Sequence, residues 1–326
     1  MDIPSIAVVI AAYNARDTIA RAVQSALAQD EVAEVVVVDD ASSDDTAGEA
    51  ERAAEGDVRL RVLRQTGNGG PSAARNRAFA ESAAPLLAIL DADDIVLPGR
   101  FAHLLSFSDW DLIADDIVFC RDFAELDRPG IPKPAPGGPE VQTITTEQFI
   151  AGNIPERGRS RGELGFLKPL IRRSTVEELG ARYWETCRLG EDFLFYAHML
   201  ARGARFRVAK RCGYGALVRA NSLSGRHGLE DLRTFHAGAS ALRAEADLSP
   251  AEDAAMRRFL RALKGRADHR EVLHIRNSAG LVPGIAAALS KPATIKAILD
   301  DWRGIGLTRR PTPHLLLGDG SRPTDG

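Results

Sequence analysis

Short apolar runs alternate with amphipathic stretches along the first third of the chain. The runs at 6–12, 35–38 and 86–90 have strand length and contain no polar residue, which is typical of strands buried on both faces of a parallel sheet. Between the first two, residues 16–29 place apolar side chains on one side of a predicted helix. Ser43 and Thr46 can begin a second helix, and a third is predicted around 73–82. The predicted strands are 6–12, 35–38, 60–65 and 86–90.

This alternation predicts an α/β fold, with a doubly wound, mostly parallel central sheet and helices on both of its faces. The pattern is less regular after residue 110. An amphipathic helix is predicted at 191–202, ending before Gly203, and a helical C-terminal region from residue 229. The other predicted elements are strands at 111–119, 166–171 (irregular at Pro169) and 205–210, and a proline- and glycine-rich loop at 128–139.

The first candidate for chemistry is the acidic turn Asp91-Ala92-Asp93-Asp94, which directly follows the fourth predicted strand. Ligands of such sheets bind beyond the carboxyl ends of the strands. Three carboxylates in four residues repel each other, and a hard divalent cation, Mg²⁺ or Mn²⁺, would relieve that repulsion and bridge to diphosphate oxygens. The alternative is a solvated acidic turn that begins a helix.

Asp39 and Asp40 follow the second predicted strand and are expected at the same edge of the sheet. A carboxylate there can accept hydrogen bonds from a base N–H or from ribose hydroxyls. We interpret Asp40 as a ligand-binding residue and Asp39 as structural. The alternative is that this pair caps the helix that follows.

Two further segments carry candidate groups. The glycine-rich turn at 67–71 lets a ligand approach the backbone at a helix N-terminus, and Arg75 could reach a diphosphate there. The turn does not match GxGxxG, so a dinucleotide site is not expected. Glu191 and Asp192 begin a predicted helix, where the helix dipole stabilises the charged form of a proton acceptor. On spacing alone, ordinary charge complementarity at a helix N-terminus explains these two residues better.

Composition excludes several classes of protein. A net charge of −3 gives no electrostatic reason to bind nucleic acid. The 3 cysteines are far apart and lack CxxC spacing, so we expect neither disulfides nor structural zinc, in keeping with a reducing cytosol. No apolar stretch reaches membrane-spanning length, so any membrane contact is expected to be peripheral.

These motifs occur in an order that resembles the large family 2 of glycosyltransferases with the GT-A fold. The resemblance rests on five segments over about residues 5–225. In the second half, GFLKPLIRRS and RLGEDFLFYAHMLARGARF are most similar to bacterial exopolysaccharide glucosyltransferases of the succinoglycan type. The five segments are IAVVIAAYN, VVVVDDASSDDT, GGPSAARNRA, LLAILDADD and LGEDFLFYAHML.

The resemblance implies a role for each matching residue. Tyr13 and Asp40 would line the base and ribose pocket, and Arg75 would lie near the donor diphosphate. Asp91 and Asp93 are the two acidic positions of the DxD motif. The implied metal ligand is Asp93, with Asp94 beside it. Asp192 would be the general base that deprotonates the acceptor hydroxyl, and Glu191 would assist by orientation or acceptor binding.

The chain departs from the family pattern where relatives often carry a histidine. Here Arg219 precedes Ser222-Leu223-Ser224, so the resemblance does not supply a third metal ligand. His227 is nearby, but we interpret it as a surface residue. Arg219 can instead pair with a phosphate.

The function implied by the resemblance is therefore metal-dependent transfer of a hexose, expected to be glucose, from a UDP-sugar to a saccharide or lipid-linked oligosaccharide in bacterial surface or exopolysaccharide biosynthesis. Inversion is expected because no enzyme nucleophile is needed. The alternatives are a sugar-nucleotide nucleotidyltransferase and a non-catalytic nucleotide-sugar-binding protein. We assign 1–120 to the nucleotide-sugar-binding half, 121–228 to the acceptor-binding half and 229–326 to the helical C-terminal region. Within the last, 281–299 can pack on the catalytic domain, lie on an anionic membrane or form a homodimer contact.

Overall fold

The computed structural model describes residues 5–127, 141–154, 164–218, 228–291 and 313–317. Its strands are β1 (Ile6–Ala12), β2 (Val32–Asp39), β3 (Leu60–Arg64), β4 (Leu86–Ile89), β5 (Ile95–Val96), β6 (Leu112–Cys120), β7 (Val141–Ile144), β8 (Leu170–Arg172), β9 (Phe206–Leu217) and β10 (His314–Leu315). Its helices are α1 (Ile19–Leu27), α2 (Thr46–Ala53), α3 (Gly70–Glu81), α4 (Arg100–Leu105), α5 (Thr146–Gly152), α6 (Arg173–Glu178), α7 (Glu191–Leu200), α8 (Leu229–Glu245), α9 (Pro250–Ala279) and α10 (Leu281–Leu289).

All the strands belong to one sheet with the order β3-β2-β1-β4-β8-β6-β9-β5, while β10 pairs with β6 and β7 with β9. The strands β3, β2, β1, β4, β6 and β9 run in the same direction. Running the other way are β8, between β4 and β6, and the short strands β5, β7 and β10. The predicted mostly parallel sheet with a helical C-terminal region is confirmed.

The uninterrupted apolar runs are buried as predicted. Val35, Val36, Val37 and Val38 of β2 are fully buried, as is most of β1, because the helices cover both faces of the sheet. The third and fourth predicted strands and the three predicted helices also form, with ends shifted by up to three residues. Such shifts are ordinary at element ends.

Two strands differ from their predictions. The run at 166–171 is a 3₁₀ turn at Leu164–Phe166 followed by the short β8, which starts just after Pro169 because proline has no N–H to donate to the ladder. The strand predicted at 205–210 continues to Leu217 and becomes the long β9. The predicted loop at 128–139 lies outside the described residues.

The C-terminal helices pack on α7 through aromatic rings. The ring of Phe193, on α7, stacks on Phe259 of α9 with centroids 4.3 Å apart, and Phe235 of α8 contacts both. Phe235 also occupies the space that a Cβ at Gly190 would need, where φ is +71°. Contacts with α8 and α9 therefore fix the position of the first turn of α7. No helix in the described ranges combines the length and the apolar character needed to cross a membrane.

Candidate active site

Two carboxylates from distant parts of the chain meet at the carboxyl edge of the parallel strands. Asp91 follows β4, and Asp192 lies in the first turn of α7. Two cations join them: Arg75 lies 2.8 Å from Asp91 and 3.1 Å from Asp192, and Lys168 lies 2.9 Å and 2.7 Å from the same two residues. This cluster connects the first half of the chain to the second.

Arg75 lies on the buried side of α3 and is 5% exposed. Its guanidinium donates to Asp91, to Asp192 and, at 3.0 Å, to Glu191. Burial lowers its pKa, but the three surrounding carboxylates outweigh burial and raise the pKa well above its ordinary value. The predicted contact of Arg75 with a diphosphate remains a prediction, since its partners in the structure are these carboxylates.

Lys168 is the main residue that the sequence analysis missed. It precedes Pro169 and β8, is 5% exposed, and its ammonium bridges Asp91 and Asp192. Burial lowers its pKa, but the two carboxylates more than compensate, so the pKa is raised. The available signal was a lysine between Leu167 and Leu170, where burial demands a partner for the charge.

Asp192 accepts hydrogen bonds from three donors. Arg75 and the hydroxyl of Tyr183 contact Oδ1, the latter at 2.9 Å, and Lys168 contacts Oδ2. A carboxylate has about four lone-pair sites, so one remains for an acceptor hydroxyl. Glu191 pairs with Arg75, and burial together with the charge of Asp192 raises its pKa.

The position of Tyr183, also missed by the sequence analysis, is set by α3. The side chain of Asn76 donates to the carbonyl of Tyr183 and accepts from its N–H, both at 2.9 Å. The Tyr183 ring stacks on Phe195 with centroids 4.4 Å apart. The residues just before α7 are therefore fixed to the helix that carries Arg75. No short sequence pattern would have identified this pairing across 107 positions.

The three aspartates of the DxD region occupy different surroundings. Burial raises the pKa of Asp91, but Lys168 and Arg75 outweigh burial and lower it. Asp94 is buried, and its Oδ1 accepts the N–H of Leu217 at 2.9 Å. Burial and the charges of Asp91 and Asp93 raise its pKa well above the ordinary value. Asp93 is half-buried at the turn.

The donor chemistry of this turn suits a divalent cation. Carboxylate oxygens are the ligands that Mg²⁺ and Mn²⁺ prefer, and Asp93 provides them at the sheet edge where a diphosphate would bind. Among the described residues, no group of three or more His, Cys, Asp or Glu side chains is arranged to hold a metal. Arg219, Ser222-Leu223-Ser224 and His227 lie outside those residues.

Asp40 closes the glycine-rich turn. Its side chain is buried and accepts the N–H groups of Gly69 and Gly70 at 2.7 and 2.8 Å, and the amide of Gln65 at 2.5 Å. Gly70 has a φ of +84°, which favours glycine. Asp40 thus shapes the turn from which α3 starts.

Tyr13 and Asp39 flank the same edge. The ring of Tyr13, after β1, is 48% exposed, as a residue that stacks on a nucleotide base requires. Asn14, at a φ of 49°, accepts the N–H of Ser43 at 2.8 Å. Asp39 accepts the N–H of Ser42 at 3.1 Å, which fits its interpretation as structural. The base-pocket roles of Tyr13 and Asp40 remain predictions.

Known proteins are similar to this chain in sequence and in fold. Residues 7–157 match the family model described as glycosyl transferase family 2. The chain is 46% identical to succinoglycan biosynthesis protein ExoU of Rhizobium meliloti (strain 1021), over 97% of this chain and 93% of that protein.

Two solved structures have a similar fold. S. aureus TarS 1-349 in complex with UDP-GlcNAc superposes with a TM-score of 0.64 at 19% identity, over 92% of each chain. The mannosyltransferase PcManGT from Pyrobaculum calidifontis, in complex with GDP-Man and Mn²⁺, gives a TM-score of 0.56 at 18% identity, over 92% of this chain and 85% of that one. Taken with the sequence matches and the site at the sheet edge, these comparisons show that the chain belongs to glycosyltransferase family 2.

Proposed function

We propose that this protein is an inverting hexosyltransferase that moves glucose from UDP-glucose onto a saccharide or lipid-linked oligosaccharide in exopolysaccharide synthesis. The observation that carries the proposal is the meeting of Asp91, at the donor edge of the sheet, with Asp192 at the start of α7. The name of the relative ExoU, a succinoglycan biosynthesis protein, supports the polysaccharide product. The UDP-GlcNAc in TarS supports a UDP-sugar donor.

The chemistry is a single displacement. The acceptor hydroxyl oxygen attacks the anomeric carbon while the bond from that carbon to the diphosphate oxygen breaks. UDP leaves with the electron pair, and Asp192 accepts the acceptor proton through its remaining lone pair. Attack from the face opposite the leaving group inverts the configuration.

The resident cofactor in this proposal is Mn²⁺ or Mg²⁺. Asp93 would hold it, with Asp94 beside it as the family resemblance implies, while Asp91 is the other acidic position of the DxD motif. A bound cation would neutralise charge on the diphosphate. The Mn²⁺ in PcManGT supports this assignment.

The donor pocket is proposed between Tyr13 and the turn closed by Asp40. The half-exposed ring of Tyr13 would contact the uracil, and Asp40 would act on the ribose side. Arg75 would approach the diphosphate from α3, exchanging a carboxylate partner for a phosphate oxygen. Glu191 would orient the acceptor.

The central experiment measures release of the nucleoside diphosphate, UDP or GDP, by the purified protein with UDP-glucose, UDP-galactose, UDP-GlcNAc and GDP-mannose, each with Mn²⁺. Each donor is offered with and without a lipid diphosphate-linked oligosaccharide. We expect acceptor-dependent UDP release with UDP-glucose, and NMR of the product should show the inverted anomeric configuration. Retention of configuration, or no release with any donor, would overturn the proposal.

The same assay tests the alternatives. A nucleotidyltransferase would release pyrophosphate from UTP and a sugar 1-phosphate. A non-catalytic binding protein would bind a UDP-sugar in calorimetry but release no UDP. The chain has AAYNARD after β1, where a nucleotidyltransferase should carry a glycine-rich basic phosphate loop, which favours the transferase.

A lipid-linked acceptor places the enzyme at a membrane surface, and α10 has properties that support such a contact. Its apolar residues Leu281, Ile285 and Leu289 recur every four positions, so they share one side of the helix, and they are 67%, 50% and 70% exposed. Residues 250–291 carry eight Lys and Arg against four Asp and Glu. Exposed apolar residues next to excess positive charge suit an anionic lipid surface.

A further inference from the structure

A buried ion pair contacts the main chain at Lys168. Arg100, at the start of α4, is 1% exposed, and its Nε lies 2.9 Å from Oδ1 of Asp115, which is fully buried on β6. The same guanidinium donates through Nη2 to the main-chain carbonyl of Lys168 at 2.5 Å. Neither Arg100 nor Asp115 has a place in the displacement described above.

A buried pair of this kind is a poor source of stability. Removing two charges from water costs several kcal/mol per ion, and apolar replacements of buried pairs are often neutral or stabilising. This pair also constrains its neighbours, because a Cβ at Gly213 would lie 2.2 Å from Asp115 Oδ2 and 2.4 Å from Arg100 Cγ. A role other than stability is therefore needed to account for it.

That role is visible on the active-site side of Arg100. Its bond to the Lys168 carbonyl fixes the backbone from which the ammonium reaches Asp91 and Asp192. Its guanidinium also lies 5.2 Å from the centre of the Tyr214 ring, whose hydroxyl accepts the N–H of Asp91 at 3.1 Å. One buried arginine thus contacts two of the residues that hold Asp91 in place, Lys168 and Tyr214.

Lys168 itself connects the two halves of the site. Asp91, Glu191 and Asp192 gather around Arg75, and one guanidinium does not neutralise three carboxylates. A second cation between Asp91 and Asp192 fixes the distance from the donor edge to the proton acceptor. When Asp192 takes the acceptor proton it loses its charge, so the positive charge of Lys168 is less compensated at the moment when UDP gains negative charge.

We propose that Lys168 is a positioning residue for the proton acceptor, and that the Arg100–Asp115 pair holds it there. The proposal rests on the proposed function, because it requires Asp192 to act in sugar transfer. It assigns Lys168 an effect on turnover rather than on donor affinity. On the donor side Lys168 contacts Asp91, but among the contacts found in the described residues it has none with Tyr13 or Asp40, which would bind the nucleoside.

The first test compares Lys168→Met with Lys168→Arg and with Arg205→Met. Arg205, just before β9, also pairs with an aspartate, Asp111, at 3.0 Å, but it is exposed and lies at the amino ends of the parallel strands, opposite the site, so it is a matched control. We expect Lys168→Met to lower kcat on the order of 100-fold, as for a lost preorganised charge. The Kd for UDP should stay within a few-fold, Lys168→Arg should recover part of kcat, and Arg205→Met should change neither.

The second test separates placement from folding. In Lys168→Ala, added propylammonium should restore part of kcat by occupying the vacated site, and the same amine should have no effect on the wild type or on Arg205→Met. A purely structural role would lower the melting temperature without any response to amine. That result, or an unchanged kcat in Lys168→Met, would overturn the proposal.

The third test addresses the buried pair. The double variant Arg100→Met with Asp115→Leu removes both charges together, so that neither is left unpaired. We expect it to lower kcat at unchanged UDP Kd in the wild-type background and to have little further effect in Lys168→Met. Full additivity in kcat would refute the link to Lys168. If the wild type itself releases no UDP with any donor, the proposed function fails instead, which is a distinct outcome.

Discussion

Nη1 of Arg75 lies 3.1 Å from Oδ1 of Asp192, although the two residues are 117 positions apart. Arg75 comes from α3, which packs on the parallel strands, and Asp192 comes from α7, which packs on the C-terminal helices. The contact therefore exists only when both halves of the chain are folded together. Substitutions that disturb the packing of α8 or α9 should therefore shift α7 and with it the side chain of Asp192.

The substitution Asp192→Asn tests the proton acceptor. The amide keeps the size of the side chain and its Oδ1 bond to Tyr183, but it cannot take a proton. We expect transfer to fall roughly 10²- to 10⁴-fold, the range for loss of a general base. UDP binding measured by calorimetry should persist. Glu191→Gln should raise the acceptor KM with a smaller loss of kcat, and near-wild-type turnover by Asp192→Asn would remove the residue from this role.

Chelation and substitution together test the metal site. EDTA should abolish transfer, and Mn²⁺ or Mg²⁺ should restore it. Asp93→Asn should increase the Mn²⁺ concentration needed for half-maximal activity. Asp94→Asn distinguishes a ligand from a buried backbone acceptor, since the amide oxygen can still accept the Leu217 N–H. An equal rise for both variants would establish Asp94 as a ligand, whereas full turnover in EDTA would refute the metal altogether.

Asp40→Asn should disturb the glycine-rich turn. The carboxylate accepts the Gly69 N–H on one oxygen and the Gly70 N–H on the other, so an amide would face one of them with its own N–H₂. A buried donor without an acceptor costs about 1–3 kcal/mol. We expect a comparable loss in the free energy of unfolding, measured in urea, and weaker UDP binding.

Asp39→Asn is the matched control for Asp40→Asn, because an asparagine there can still accept the Ser42 N–H. It should leave stability and UDP affinity close to those of the wild type. If both variants behave alike, the two glycine contacts do not determine the shape of the donor pocket.

The sheet and its functional edge were predictable because burial on both faces requires uninterrupted apolar runs. The runs that form β1, β2 and β4 are of this kind, and the polar and acidic residues that follow them were expected at one edge. The position of Asp91 at that edge follows from the point at which β4 ends. Short elements such as β5 and α6 carry too few residues for a recognisable period.

Lys168 and Tyr183 could not be predicted because their roles depend on tertiary contacts. A single lysine in an apolar segment indicates that its charge has a partner, but not which one. Arg75 shows the same limit. Its position near a helix N-terminus indicated that it binds an anion, but two of its partners in the structure are carboxylates of α7. No local sequence signal predicts that α7 packs close to α3.

Asp116→Asn should remove a pH-dependent loss of stability. Burial raises the pKa of Asp116 from 3.8 to about 6 in the folded state. The folded protein therefore holds this proton more tightly than the unfolded chain, so the stabilising contribution is complete below about pH 4 and is lost as the pH rises through 6. A shift of two units corresponds to about 3 kcal/mol.

The measurement for Asp116 is urea unfolding of both proteins at pH 4 and pH 7.5. The asparagine oxygen can still accept the N–H groups of Ile117 and Leu317, so the native contacts remain. Relative to the wild type, the variant should gain stability with rising pH by roughly that amount. A difference that does not change with pH would show that Asp116 titrates alike in both states.

Leu281→Gln combined with Leu289→Gln tests the membrane contact of α10. These leucines are 67% and 70% exposed, so the substitutions cost little folding stability. Full burial of one leucine in lipid is worth about 1.5–3 kcal/mol, so losing two should weaken binding to vesicles at least roughly tenfold. Co-sedimentation with phosphatidylglycerol-containing vesicles measures this, and Val58→Gln, at an exposed apolar residue outside α10, is the control. If the wild type binds neutral vesicles as strongly as anionic ones, the basic residues of α9 do not contribute to binding. If the wild type instead dimerises with rising concentration and the double leucine variant does not, the partner of this surface is a second copy of the chain.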